Sequence, residues 1–102
     1  MNPGIIKFVK LLNDNGFITC DSGDGETHDF ECDRDIPYVV IKSSPDNLVQ
    51  ESHRLLDLLK SLSIDVQQCN VDSLPAIQAS YDPINRLAFI DVTNVSDKNL
   101  KL

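Results

Sequence analysis

The chain has 102 residues, and 9 Lys and Arg against 16 Asp and Glu give it a formal net charge of -7. Its hydrophobic fraction of 41% and charged fraction of 25% are typical of one folded globular domain and argue against a disordered chain. The negative charge argues against generic binding to nucleic acid or to anionic membranes. No apolar run is long enough for a transmembrane helix or a signal peptide, so we expect a soluble, cytoplasmic protein.

A first helix is predicted over residues 3–14. Asn2 and Pro3 have the chemistry of an N-cap and a first helical position, and Asn15 with Gly16 favours a helix end. Apolar residues recur at helical spacing between these signals: Ile5, Phe8, Val9 and Leu12.

Two β-favouring runs follow. Residues 17–20 predict a short strand that ends where a polar loop begins at Asp21. Pro37 precedes the short run 38–42, which is apolar except for its last residue. We expect this second strand to be central in the sheet and covered on both faces.

The second helix has the clearest start signal. Ser44, Pro45 and Asp46 supply a hydroxyl for capping, a proline for the first turn and an acid near the positive end of the helix dipole. The apolar residues beyond them form one stripe, which we expect to be buried: Leu48, Val49, Leu55, Leu56, Leu59 and Leu62.

Three more strands are predicted over 64–68, 77–81 and 87–92, and the turn chemistry of 82–85 makes the last two a hairpin. The order α-β-β-α-β-β-β predicts an α+β fold with two helices packed on one face of a mostly antiparallel four- to five-stranded sheet. Residues 1–95 would form one domain, followed by a flexible tail over 96–102.

Seven carboxylates and one cation, Arg34, lie in the segment 21–35. Such a density of like charge is tolerated where the loop is solvated, or where a cation or a ligand with hydrogen-bond donors compensates it. Both interpretations stay open at this point. Residues 29–35 fit solvated charge, whereas residues 21–25 combine glycines with short side chains that favour a defined turn.

This turn is the predicted ligand site. Carboxylates there would accept from ribose or base donors, glycine amides would approach a polar ligand closely, and His28 or Arg86 would balance a phosphate. Tyr81 would add a ring for stacking. The candidate ligand-binding residues are Asp21, Ser22, Gly23, Asp24, Gly25, His28, Tyr81 and Arg86.

Neither a metal nor another cofactor is predicted. Asp21, Asp24 and Glu26 are hard oxygen ligands, but their spacing does not follow the EF-hand pattern. Zinc at Cys20, His28 and Cys32 would lack the paired spacing of structural zinc sites.

The odd number of cysteines argues for reduced thiols, with Cys20 and Cys69 as small buried hydrophobes in strands and Cys32 in the loop. Catalysis would need an activated group, and the candidates are His28 beside Asp29, His53 one turn before Asp57, and the thiols, none of which the sequence marks as a nucleophile. The His53 pair is more simply a surface helix pair, so an enzyme is the less favoured interpretation.

The runs Gly-Phe-Ile-Thr-Cys-Asp-Ser-Gly-Asp-Gly, Pro-Tyr-Val-Val-Ile and Ser-Pro-Asp-Asn-Leu-Val-Gln-Glu-Ser-His-Arg-Leu-Leu resemble small uncharacterised proteins of bacteriophage genomes over residues 4 to about 90. No activity is established for that group, so the resemblance assigns no functional residues. It implies a role in manipulating a host, by sequestering a nucleotide immune signal or by occupying a host protein.

Three functions therefore stand as hypotheses. The first is a non-catalytic protein that binds a small polar ligand, a nucleotide-derived signal, with a site that a homo-oligomer would form between subunits. The second is an acidic interaction module that binds and inhibits a host protein. The third is a small metal- or His-dependent hydrolase.

Overall fold

The computed structural model describes residues 3–23, 36–68 and 74–100. Two α-helices and four β-strands follow one another there in the order α-β-β-α-β-β. They are α1 (Ile6–Asp14), β1 (Ile18–Gly23), β2 (Tyr38–Ser43), α2 (Leu48–Ser61), β3 (Ala76–Asp82) and β4 (Leu87–Thr93). Short 3-10 helices occupy Pro3–Ile5 and Asp97–Asn99. Within the described residues, neither α-helix is long and apolar enough to cross a membrane.

The strands form one antiparallel sheet in the order β1-β2-β4-β3. This confirms the predicted α+β fold, with four strands and not five. The run 64–68 contributes only an isolated parallel bridge between Gln67 and Ala76. Its alternation has another cause, because Ile64 is buried and Val66 packs on the core as part of a connecting segment.

The core lies between the helices and one face of the sheet, here called the helix-covered face. The helices contribute the buried side chains of Phe8, Val9, Leu12, Leu55 and Leu59. The strands contribute alternate residues, which point to one face of a pleated sheet: Val39, Ile41, Ile77, Ile90 and Val92. The central position predicted for the run 38–42 is confirmed, since β2 lies between β1 and β4.

The apolar run 38–42 predicts that β2 is buried on both faces, and this prediction is wrong over part of the strand. Val40 is half-buried and Lys42 is exposed on the face opposite the helices, whereas Tyr38 is buried there. Both helices pack against Val39 and Ile41, on the other face of the sheet. The end of β2 at Lys42 is therefore exposed on the face opposite the helices.

The start of α1 is capped by a residue about 90 positions away. Asp97 accepts hydrogen bonds from the backbone N–H of Phe8 at 2.8 Å and of Lys7 at 3.1 Å. Ile5, which precedes α1, has no polar side chain for this role. The segment predicted as a tail thus supplies a cap to α1, and Ser96 in it is buried. Asn2, the cap expected from the sequence, lies outside the described residues.

The end of α1 is tied to α2. Gly16 has φ of +87°, the left-handed conformation that favours glycine after a helix, as the sequence predicts. The Arg54 Nη2 atom donates to the Asn15 carbonyl at 2.7 Å, and its guanidinium lies 4.8 Å from the centre of the Phe17 ring. One side chain of α2 thus satisfies a carbonyl beyond α1 and covers an aromatic core residue.

The second helix begins at Leu48, after a turn that contains the predicted start signal. The Asn47 side chain donates to the Ser44 hydroxyl at 3.1 Å in this turn and makes no cap bond to the helix. The expected buried stripe holds for Leu55 and Leu59, but Val49 is 71% exposed. Val49 lies at the edge of the helix–sheet contact, beside β3, where no further strand covers it in the described part of the chain.

Candidate functional site

Three of the predicted ligand-binding residues belong to β1 and not to a turn. Asp21 lies opposite Val40, and Ser22 and Gly23 lie opposite the two preceding residues of β2. An extra residue, Cys20, interrupts the register between Thr19 and Asp21 as a β-bulge. The strand therefore continues three residues past the point where the sequence predicts a loop.

The Asp21 carboxylate is exposed and engaged locally. Its Oδ1 atom accepts from the Ser22 backbone N–H at 2.9 Å. The Tyr38 hydroxyl donates to this carboxylate at 3.4 Å from either oxygen, and the Tyr38 side chain is only 2% exposed. Asp21 thus presents charge at the margin of a buried tyrosine.

The remaining predicted loop residues, Asp24, Gly25 and His28, lie outside the described residues, as do Cys32 and Cys69. Their roles stay predictions. Within the described part of the chain, no group of three His, Cys, Asp or Glu side chains is placed to hold a metal ion.

Tyr81 and Arg86 are not brought together with Asp21. Tyr81 lies on β3 and Asp21 on β1, the two edge strands of the sheet, which are about 14 Å apart by the usual strand spacing. Alternation along β3 also puts Tyr81 on the helix-covered face, the other side of the sheet from Asp21. Arg86 ends the turn after β3, with φ of 54°.

The turn that carries Arg86 is organised by Asp82. The Asp82 carboxylate accepts from the backbone N–H of Ile84 at 3.0 Å and of Asn85 at 3.3 Å, and from the Asn85 side chain at 2.8 Å. These bonds favour the charged form, so they lower the pKa of Asp82, with the Asn85 side chain as the largest cause. This confirms the predicted hairpin turn.

Two of the groups considered for catalysis, Cys20 and His53, lie in the described part of the chain. Cys20 is exposed, which corrects its expected burial, because its bulge position takes it out of the regular alternation of β1. Partial desolvation, together with the charge of Asp21, raises the pKa of the Cys20 thiol and so favours the unreactive protonated form. His53 and Asp57 are both exposed on α2, one helical turn apart, and their pairing stays a prediction.

The face of the sheet opposite the helices, here called the open face, is not predicted as a site from the sequence. Cross-strand pairing puts Ile18, Lys42 and Phe89 in one row across β1, β2 and β4. Asp21, Val40 and Asp91 form the neighbouring row. The sequence signal for this face is the alternation of Leu87, Phe89 and Asp91 with apolar residues of β4. This alternation does not show which side chains of the neighbouring strands lie beside them, because that depends on the strand order.

Exposure on the open face increases from one end to the other. The end row is buried: Gly23, Tyr38, Thr93 and Ala76. Farther along, Val40, Leu87 and Phe89 are half-buried, and Ile18 is 65% exposed. These four apolar residues are here called the open-face patch.

Charge on the open face is mainly negative. Alternation puts the carboxylates of Asp21, Asp82 and Asp91 on it, against the single ammonium of Lys42 at the described strand positions of this face. Lys42 lies between Ile18 and Phe89, where its alkyl stem extends the apolar surface. Comparison with protein-family models, curated proteins and solved structures finds no match for this chain.

Proposed function

We propose that this chain is a non-catalytic binding protein that recognises another protein through the open face of its sheet. The observation that carries the proposal is a partly exposed apolar patch bordered by carboxylates on an antiparallel sheet surface. Ile18 is the most exposed member of the patch, and Asp21 and Asp91 border Val40 on either side. An exposed apolar surface rimmed by polar groups is typical of a protein interface.

The shape of the surface favours a protein over a small molecule. Small ligands prefer concave sites that bury most of their surface. The grooves found between described residues lie elsewhere, one between α2 and β3, one around residues 63–67 with 74–75, and one on α1. A sheet face suits the larger contact area of a protein partner.

The chemistry of the open face also defines the partner. Carboxylates at its border attract a surface that carries Lys or Arg, and the patch needs an apolar centre on that surface. The net charge of -7 would speed encounter with such a partner at low salt. Binding and inhibition of a host protein is the form of this proposal that the bacteriophage resemblance suggests.

The test replaces one exposed isoleucine on each side of the molecule. A photo-crosslinking amino acid at position 18 identifies a partner in the cell of origin, and its affinity is then measured with purified proteins. Ile18→Lys should weaken binding by about tenfold or more, whereas Ile6→Lys, on α1, should leave it unchanged. Raising the salt concentration should weaken binding by wild type.

Equal loss in both variants would overturn the proposal, and so would binding that salt does not affect. A position 18 that crosslinks to no protein would count against it equally. Both replaced side chains are exposed, so the variants should fold, which circular dichroism and urea unfolding can verify.

A small-ligand function is the second proposal, because the Asp21 carboxylate and the Tyr38 hydroxyl adjoin the start of the predicted site at residues 21–28. A panel of cyclic and linear nucleotides should then raise the unfolding temperature of wild type. Asp21→Asn should reduce the shift, and Asp91→Asn should not. The absence of a shift with every nucleotide would reject this proposal without affecting the first.

A further inference from the structure

The outer edge of β3 is only partly occupied. The Ile77 backbone N–H donates to the Gln67 carbonyl at 2.9 Å, and the Gln67 N–H donates to the Pro75 carbonyl at 2.9 Å. Backbone groups of alternate residues point to the same edge of a strand, so those of Ala79 and Tyr81 also point outward. In the part of the chain that the structure describes, these outward groups have no backbone partner.

Their spacing fits a second copy of β3 in one antiparallel register. If Ala79 lies opposite the second copy's Tyr81, the two-fold axis passes at Ser80. Tyr81 then lies opposite the second copy's Ala79 with the same geometry. Every outward N–H and C=O of Ala79 and Tyr81 in both copies is then paired. The Ser80 residues face each other as a non-hydrogen-bonded pair.

The neighbouring registers fail. Ala79 opposite the second copy's Ala79 would require the Ile77 N–H, which is already bonded to Gln67. Tyr81 opposite the second copy's Tyr81 would set Ala79 against Pro83, which has no N–H to donate. The Gln67 segment thus limits the free edge at one end of β3 and Pro83 limits it at the other, which leaves the register centred on Ser80.

The side chains on the helix-covered face complement one another in this register. Ala79 is small and lies beside a groove of about 240 Å³ between α2 and β3. Most of the groove lining is apolar, from Leu48, Val49, Leu56 and Ile77, and the polar side chains of Ser52, His53 and Gln68 complete it. The ring that faces Ala79 is the second copy's Tyr81, and in the single chain Tyr81 is 51% exposed. An exposed aromatic ring therefore meets an open, mostly apolar groove.

Polar side chains match on the open face. Gln78 lies opposite the second copy's Asp82, so an amide N–H can donate to a carboxylate. Although the Asp82 carboxylate already accepts three bonds in its turn, two of these fall on Oδ1, and Oδ2 has capacity left. The acids of the two copies do not face each other, which matters for chains of charge -7.

We propose that the chain forms a two-fold homodimer through antiparallel pairing of β3 with the β3 of a second copy, with each Tyr81 ring in the α2–β3 groove of the other copy. The pairing makes one continuous sheet and puts two open-face patches on the same side of it. A partner with two matching sites would then be bound by both patches at once. The dimer does not depend on the protein-binding function, because it uses the strand edge and the helix-covered face.

The test uses the full chain and measures mass by sedimentation and by native mass spectrometry at micromolar concentrations. Wild type should be a dimer. Tyr81→Ser should shift the monomer–dimer equilibrium toward monomer by about tenfold or more, and Ile84→Ala, at a 90% exposed position in the adjacent turn, should not. Ala79→Pro should also give monomer, because it removes an outward N–H without removing a bond to β4.

A disulfide probe tests the register. Ser80→Cys puts two thiols on facing residues whose Cα atoms are about 4.5 Å apart, within the range of a disulfide. Mild oxidation should give a peptide pair joined by a disulfide at position 80, as mass spectrometry of a digest would show. Gln78→Cys, with its two copies about 14 Å apart, should not give the corresponding peptide pair. A monomeric wild type, a dimer that Tyr81→Ser leaves intact, or crosslinking at position 78 instead of 80 would overturn the proposal.

Discussion

The two faces of the sheet are built from the same strands and differ in almost every other respect. On β4, Ile90 is fully buried beneath the helices, whereas its neighbour Phe89 is half-buried on the open face. The helix-covered face is apolar along most of β2 and β4. The open face changes from a buried row at Tyr38 to an exposed one at Ile18. One face therefore holds the core that stabilises the fold, and the other is the surface through which we propose that the protein binds a partner.

This division has an energetic basis. Burial of a large apolar side chain contributes roughly 1.5–3 kcal/mol, and its removal from a packed core adds the cost of a cavity. A half-exposed side chain contributes less, and water can fill the space that it leaves. The open face can thus carry apolar residues at little cost to the fold, which leaves them free to meet a partner.

Adjacent substitutions on β4 should give the largest contrast. Ile90→Ala should lower the free energy of unfolding by about 2–5 kcal/mol, because it leaves a cavity beneath the helices. Phe89→Ala should lower it by about half as much or less, although it removes more atoms. Urea unfolding followed by circular dichroism measures both.

If Ile90→Ala fails to fold, Ile90→Val serves in its place, with an expected loss of about 0.5–1.5 kcal/mol. A larger loss in Phe89→Ala than in Ile90→Ala would mean that the open face is a second core. The separation of stability from recognition would then be wrong.

The sequence predicts most of the elements because their signals are local. Helical spacing of Phe8, Val9 and Leu12 predicts α1, and the turn chemistry at Asp82 predicts the β3–β4 hairpin. The exposure of Val49 could not be predicted in the same way. Helical periodicity shows which side chains share a face, but not where the sheet beneath that face ends.

The candidate site depends on long-range pairing, which a single sequence does not reveal. Val40 and Asp91 become neighbours only because β4 pairs with β2 across about 50 positions of chain. The cap that Asp97 provides for α1 is equally hard to predict, since Asp97 lies in what the sequence predicts to be a tail. The extension of β1 to Gly23 likewise follows from pairing with β2, which overrides the turn preference of residues 21–23.

The cap on α1 tests how the helix layer is held in place. Asp97→Ala removes the acceptor for the N–H groups of Lys7 and Phe8 and should lower the free energy of unfolding by about 1 kcal/mol. Asp97→Asn, which keeps one carbonyl oxygen, should cost less. Asp46→Ala, at an exposed acid in a turn, should change stability by about 0.5 kcal/mol or less. Equal effects at residues 46 and 97 would show that only net charge matters.

The smallest expected effect concerns the pH dependence of the Asp82 turn at the end of the open face. The folded-state pKa of Asp82 lies below its ordinary value, so its bonds stabilise the fold above the unfolded pKa of about 4. This contribution is lost as pH falls through the folded pKa. Asn85→Ala removes the largest cause of the shift and should return the Asp82 pKa toward its ordinary value, as a carbon-detected NMR titration would show.

The same substitution shows whether the charge of Asp82 stabilises the fold. The urea midpoints of wild type and Asn85→Ala should differ at neutral pH and converge below about pH 4, because protonation weakens the bond in wild type. Asn47→Ala removes a bond between two uncharged side chains, so its difference from wild type should not vary with pH. A constant difference for Asn85→Ala as well would mean that the charge of the Asp82 carboxylate does not stabilise this turn.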